Sequence, residues 1–203
     1  MNQSTRVEAT MGIVRIHSSM SLDGYICGPN DWMDWVFDHA ELTEHVEGLR
    51  VLDGPATRAV IDATGAVLSG RGCYDFGRDA TEVPPETGEL FGGAWSGPAF
   101  VATHRPPAGD NHGVTFVSGD INDIVNECLK AANGKDLLVL GANIASQCLE
   151  ANLVDEVLLH QVPILLGGGV NLFENRSGPI ELDIVEVRPQ RRSTTIRLRP
   201  RHR

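Results

Sequence analysis

Three short stretches combine glycine with groups that attract anions. The first is Leu137-Leu138-Val139-Leu140-Gly141-Ala142-Asn143-Ile144: an apolar run, a small-residue turn and the start of a helical pattern. Such a turn lets backbone approach a pyrophosphate while the free N–H groups of the helix point at it. The second is Val67-Leu68-Ser69-Gly70-Arg71-Gly72-Cys73-Tyr74, the same design with an arginine in the turn. A cation at a helix N-terminus opposes the macrodipole unless something anionic is near. A phosphate would supply that anion, and so would an acidic side chain. The third is Val101-Ala102-Thr103-His104-Arg105, where a hydroxyl and two cationic candidates leave an apolar run together. Each stretch alone is also what a plain strand-to-helix turn or polar loop looks like. Together they mark successive strand ends, where ligands sit on open α/β sheets.

Other chemistries lack their residues. No G-x-G-x-x-G follows the first apolar strand, since Gly70-Arg71-Gly72 has no third glycine; G-x-x-x-x-G-K-[ST] and H-E-x-x-H are also missing. There is no nucleophile-elbow signature. His39-Ala40-Glu41 matches half of a zinc-deaminase motif, but no Pro-Cys-x-x-Cys follows it. Cys27, Cys73, Cys128 and Cys148 are far apart, which suits neither a zinc site nor a disulfide framework. No metal is expected. Cys128 and Cys148 fall on apolar helix stripes and read as core.

The formal net charge of −10 argues against general nucleic-acid or anionic-membrane binding. The C-terminal stretch runs basic, with Arg188, Arg191, Arg192, Arg197, Arg199, Arg201 and Arg203. It reads as an exposed strand face and tail, or as an anion patch. The longest mainly apolar stretch, Val157 to Leu166, is interrupted by His160, Gln161 and Pro163 and is too short to span a bilayer. With no export signal and reduced cysteines, the expected location is the cytoplasm.

The elements that must position these groups alternate along the chain. Residues 1–10 are polar and expected to be disordered, leaving 11–203 as a single domain. Strands are expected at 13–19, 65–69, 98–103, 114–117, 136–140 and 155–166, with a closing antiparallel pair at 180–187 and 194–199. Helices are expected at about 39–52, 55–63, 121–132 with Asp120 as N-cap, and 142–152. Residues 20–36 and 78–97 read as loops. Strand–helix alternation ending in a β pair predicts an α/β fold: a mixed, mostly parallel sheet flanked by helices.

Ser21-Leu22-Asp23-Gly24-Tyr25-Ile26, then Ser69-Gly70-Arg71 with Tyr74, then Leu153-Val154-Asp155-Glu156 and Pro163-Ile164-Leu165-Leu166-Gly167-Gly168-Gly169 occur in that order. This pattern resembles the reductase domain of bacterial riboflavin-biosynthesis deaminase–reductases, within the dihydrofolate-reductase-like superfamily, over about residues 13–199. The resemblance implies a stand-alone protein of that fold, NADPH as hydride donor, a small-molecule substrate and a homodimer. By position, Gly141, Ala142, Asn143 and Ile144 would cradle the pyrophosphate. Gly70, Arg71 and Cys73 would form a second phosphate turn. Thr103, with His104 and Arg105, would lie near the adenosine phosphate. Ser19 and Trp35 match positions that border the cofactor, and Asp23 is the loop carboxylate assigned as catalytic proton relay. The chain departs from the riboflavin-type pattern at Val139, where an acidic substrate ligand is usual, and at Cys73, where Thr is usual. The missing zinc motif leads us to expect no deaminase half. The implied activity is reduction of a small polar heterocycle or carbonyl, dihydrofolate-like or ribosylamino-pyrimidine-like. The same residues would also suit a nucleotide-binding module without turnover.

Overall fold

The computed structural model describes residues 12–39, 55–79, 94–109, 113–174 and 177–201. Among the described residues, eight strands form one sheet. They are β1 (Val14–Ser21), β3 (Thr64–Gly70), β4 (Ala99–Ala102), β5 (Thr115–Val117), β6 (Asp136–Leu140), β7 (Glu156–Val162), β9 (Leu182–Pro189) and β10 (Thr194–Pro200). Their order is β5-β4-β3-β6-β1-β7-β10-β9. The first six are mutually parallel, and β10 runs antiparallel to both β7 and β9. The expected α/β fold is therefore the observed one, with the mixed edge at the C-terminal pair.

Helices cover both faces, as a parallel sheet requires. On one face β1, β3, β6 and β7 present Ile16, Ala66, Leu68, Leu137, Val139, Val157 and Leu159. Two helices pack there: α4 (Ile121–Ala131), through Ile124, Val125 and Cys128, and α5 (Ala142–Glu150), through Ile144, Cys148 and Leu149. Cys128 and Cys148 are core residues, as expected. Asp120 caps α4 by accepting from the Asn122 backbone N–H at 2.8 Å. On the opposite face Val67, Leu138 and Leu158 lie under Val60 of α2 (Pro55–Ala63) and under Trp95. The Trp95 indole N–H donates to the Thr64 carbonyl at 3.0 Å. A further helix, α3 (Arg71–Asp79), follows β3 directly.

The segment expected as a loop, 20–36, is more ordered than its composition implies. It holds β2 (Tyr25–Cys27), a 3-10 turn (Pro29–Asp31) and the start of α1 (Asp34–His39). β2 exists because it pairs with β8 (Val170–Asn171), about 145 residues away in sequence. Local pattern cannot register such a partner. The strand expected over 155–166 ends at Val162, because Pro163 has no N–H for the ladder. Most of the helix expected at 39–52, the N-terminal segment 1–10 and most of the loop expected at 78–97 lie outside the described residues.

Candidate active site

The carboxyl ends of β4, β3, β6, β1 and β7 form one edge of the sheet, in that spatial order. From β3 the chain leaves through α3 toward β4; from neighbouring β6 it leaves through α5 toward β7. The connections diverge there, which opens a crevice between the two strand ends. Both helices begin on a glycine at that crevice.

Gly141, the residue before α5, has φ +85°, a conformation that side chains rarely adopt. A Cβ on Gly141 would stand 2.6 Å from Cys73 Sγ, and one on Gly70 would stand 3.3 Å from Ile144 Cγ1. The first turns of α3 and α5 thus lock into each other's glycines. No side chain caps α5, so its first N–H groups remain available to an anion. Cys73 is exposed at the crevice, and desolvation of its thiol pushes its pKa above the ordinary range. Ala142 borders the turn, and Asn143 accepts from Gln147 Nε2 at 2.7 Å.

Arg71 does reach the crevice rim, but its anion is internal. Its Nε donates to both Asp75 oxygens, at 2.7 and 2.8 Å, one helical turn on. Its Nη1 donates to the Arg105 carbonyl at 2.7 Å and so ties the β4 end to the β3 end. Thr103 Oγ1 accepts from the Arg105 N–H at 3.1 Å, shaping that turn, and His104 and Arg105 are exposed on it.

Asp23 sits where the loop after β1 meets the loop after β7. Its carboxylate accepts from Ser21 Oγ at 2.6 Å, from the Leu166 N–H at 3.1 Å and from the Gly167 N–H at 2.8 Å. The Ser21 hydroxyl, then the Gly167 N–H, hold its pKa down to about 2. Held by these three donors, the carboxylate ties the two loops to each other. Backbone bonds from Leu22 to Ile164 and from Leu172 to Gly24 continue the same seam. A Cβ on Gly169 would stand 2.0 Å from the Cys27 carbonyl oxygen, so this approach of backbone to backbone needs glycine. Trp35 lies beneath the loops. It is 1% exposed and packs with Val36 and Val162, its indole N–H donating to the Trp32 carbonyl at 3.2 Å. It supports the edge from below.

A second cluster escaped the sequence reading. Arg15, His17, Ser19 and Ser21 share one face of β1, and Ser19 lies beside His160 of β7. His17 Nε2 and His160 Nε2 are 2.8 Å apart, and His160 Nδ1 is 3.0 Å from Thr195 Oγ1 of β10. Burial, then the neighbouring His160, lowers the His17 pKa; burial lowers that of His160. Both rings are therefore neutral near pH 7 and can donate or accept. The signal was available: a central parallel strand is normally apolar on both faces, and β1 alternates polar with apolar. Such alternation marks a face that looks onto something polar.

A family model described as the RibD C-terminal domain matches residues 92–194. The uncharacterized protein YyaP of Bacillus subtilis is 28% identical over 174 residues, covering 84% of this chain and 85% of YyaP. Among solved structures, a candidate riboflavin biosynthesis protein from Shewanella sp. PV-4 superposes with a TM-score of 0.73 at 22% identity, covering 94% of this chain and 99% of that one. A diaminohydroxyphosphoribosylaminopyrimidine deaminase/5-amino-6-(5-phosphoribosylamino)uracil reductase from Thermotoga maritima gives 0.62 at 16% identity; 94% of this chain spans 57% of that one. Dihydrofolate reductase from Enterococcus faecalis, complexed with NADP(H), gives 0.54 at 13% identity, covering 95% and 98%. At these identities the solved structures establish the shared fold.

Proposed function

Because this chain belongs to the RibD C-terminal domain family, we propose that it is an NADPH-dependent reductase of a small polar heterocycle or carbonyl, dihydrofolate-like or ribosylamino-pyrimidine-like. The observation that carries this reading is the crevice between β3 and β6, where Gly70 and Gly141 set two helix N-termini against each other. The residues present fit a dinucleotide. The turn at Gly141 would present backbone, not side chain, to a pyrophosphate, and the uncapped α5 would offer donors to it.

Bound NADPH would supply a hydride. The chain's own residues would bind and orient. Gly141, Ala142, Asn143 and Ile144 would hold the pyrophosphate from one side, and Gly70, Arg71 and Cys73 from the other. Thr103, His104 and Arg105 would meet the adenosine phosphate. Ser19, beside His160 on the polar face of β1 and β7, would orient the substrate's heteroatom. Asp23 enters as a positioning residue that holds the two loops together over that face. The chain His17–His160–Thr195 is the proton-carrying group nearest Ser19 and would pass the proton that balances hydride addition. A cytoplasmic homodimer is the setting we infer, in keeping with four free cysteines. Among the described residues no helix is long and apolar enough to cross a membrane.

Titration of the protein with NADPH and with NADH tests the reading. A charge-assisted phosphate contact contributes about 1.5–3 kcal/mol, so NADPH should bind about tenfold or more tightly. Equal dissociation constants would refute the assignment of His104 and Arg105. Tight NADPH binding without oxidation by dihydropterin or ribosylamino-pyrimidine substrates would mark a binding module instead.

A further inference from the structure

A hydrogen-bond chain crosses three strands on the sheet face opposite α4 and α5. Ser19 of β1, His160 of β7 and Thr195 of β10 lie side by side in register, and His17 precedes Ser19 on the same face of β1. His17 and Thr195 are 7% and 4% exposed. Thr195 Oγ1 is 3.0 Å from His160 Nδ1, and His160 Nε2 is 2.8 Å from His17 Nε2. The two rings meet edge-on, their planes 76° apart and their centroids 4.9 Å apart, so nitrogen faces nitrogen rather than ring facing ring. We propose that Thr195 is a positioning residue: its hydroxyl fixes the direction of this chain, so that His160 carries its proton on Nε2 and His17 carries its proton on Nδ1.

Counting donors gives that direction. A neutral imidazole has one N–H and one bare nitrogen. Burial keeps both rings neutral near pH 7. Two neutral rings joined through Nε2 must be opposite tautomers, one protonated at Nε2 and the other at Nδ1. The hydroxyl chooses between the two arrangements. It holds one proton of its own and can also accept. Among the described residues its partner is His160 Nδ1. With Nδ1 protonated, the hydroxyl would have to accept there, and its own proton would be buried without an acceptor. An orphaned donor of that kind lowers the population of its arrangement by about tenfold or more. With Nδ1 bare, Thr195 donates to His160 Nδ1 and His160 Nε2 donates to His17 Nε2, so both bonds form and the hydroxyl proton is satisfied.

The chain therefore ends on β1 in a donor, the N–H at Nδ1 of His17. The consequence for the site rests on the reductase reading. A substrate seated against Ser19 and His17 would meet donors there, and so must present an acceptor, such as a carbonyl oxygen or an unsaturated ring nitrogen. An amine would set donor against donor. Thr195 would act on that choice from two strands away, without touching the substrate.

Nitrogen NMR of the intact chain labelled at histidine reads the tautomers directly, with no cofactor or substrate present. At about pH 8 ordinary histidines are neutral, and His17→Gln and His160→Gln identify the two rings. In the wild type His160 should carry its proton on Nε2 and His17 on Nδ1, as a single set of signals. The reversed pair, or an even mixture, would overturn the proposal. Thr195→Val keeps the side-chain shape and removes the donor, so the reversed pair should rise into view as a second set. Thr195→Ser should show the wild-type set alone. A single wild-type set in Thr195→Val, or a mixture in Thr195→Ser, would also overturn it. The turnover number then separates positioning from packing. In Thr195→Val it should fall about tenfold while the NADPH dissociation constant holds, and Thr195→Ser should regain most of the loss. A full turnover number in Thr195→Val would remove the positioning role. A wild type that binds NADPH without oxidising it would sink the reductase reading, and the tautomer assignment would still stand or fall on its own spectra.

Discussion

The carboxylate of Asp23 spends its hydrogen-bonding capacity on Ser21 Oγ and on the amides of Leu166 and Gly167. Asn at this position keeps one acceptor and turns an N–H₂ toward amide donors. Asp23→Asn should therefore speed hydrogen exchange at Leu166 and Gly167 by about tenfold or more, as a local opening. The turnover number at saturation should fall far less than the roughly 100-fold loss typical of a removed general acid or base. A lost turnover number with unchanged exchange would assign Asp23 the relay role instead. Because the folded pKa is lowered to about 2, the seam is fully formed above the unfolded carboxyl value near 4 and weakens as pH falls toward 2. The buried histidines act higher on the scale. Their folded pKa values lie below the ordinary 6.5, so the unfolded chain binds protons first as the solution is acidified. Stability from this pair is present above about pH 6.5 and declines below it. Urea midpoints should fall from pH 7 to pH 5.5, and the His17→Gln/His160→Gln variant should show a shallower fall; parallel slopes would contradict the pairing. Neither arrangement was legible in sequence. Asp23 was visible as a loop carboxylate, but its backbone donors, the Leu166 and Gly167 amides, lie 143 and 144 residues away. His160 read only as an interruption of an apolar run, and pairing of β1 with β7 is what sets His17 beside it.

Among the elements, β6 and α5 were the most legible, because their turn chemistry and packing agree. The all-apolar Leu137–Leu140 could only be a central strand, and Gly141 could only be a turn before a helix. What sequence did not show is that α3 and α5 touch there. Gly141→Val should abolish NADPH binding while circular dichroism remains native. The β-branched side chain meets Cys73 and the φ of +85°, at a cost of about 1–3 kcal/mol in stability for the strained backbone. Normal NADPH binding by the variant would move the pyrophosphate elsewhere. Arg71 teaches the complementary lesson. A cation at a helix start was read as waiting for an anion, and the anion is Asp75, four residues along the same helix. Spacing alone left both partners open.

For the molecule as a whole, the strand order has a consequence for synthesis. β1 and β3 are both made before β6, yet β6 lies between them and is the neighbour each requires. A nascent chain that has emerged through α4 holds β3, β4 and β5 as one potential sheet fragment, with β1 separated from it by an unfilled slot. The apolar faces of Ile16 and Leu68 have no strand to bridge them until Leu137–Leu140 arrives. Insertion of a middle strand between two waiting edges closes long loops on both sides at once, the slow kind of step for a folding chain. A ribosome paused before residue 136 therefore exposes two unpaired parallel edges, and release of the chain at that point yields a fragment suited to aggregation or chaperone capture rather than to a smaller version of the fold.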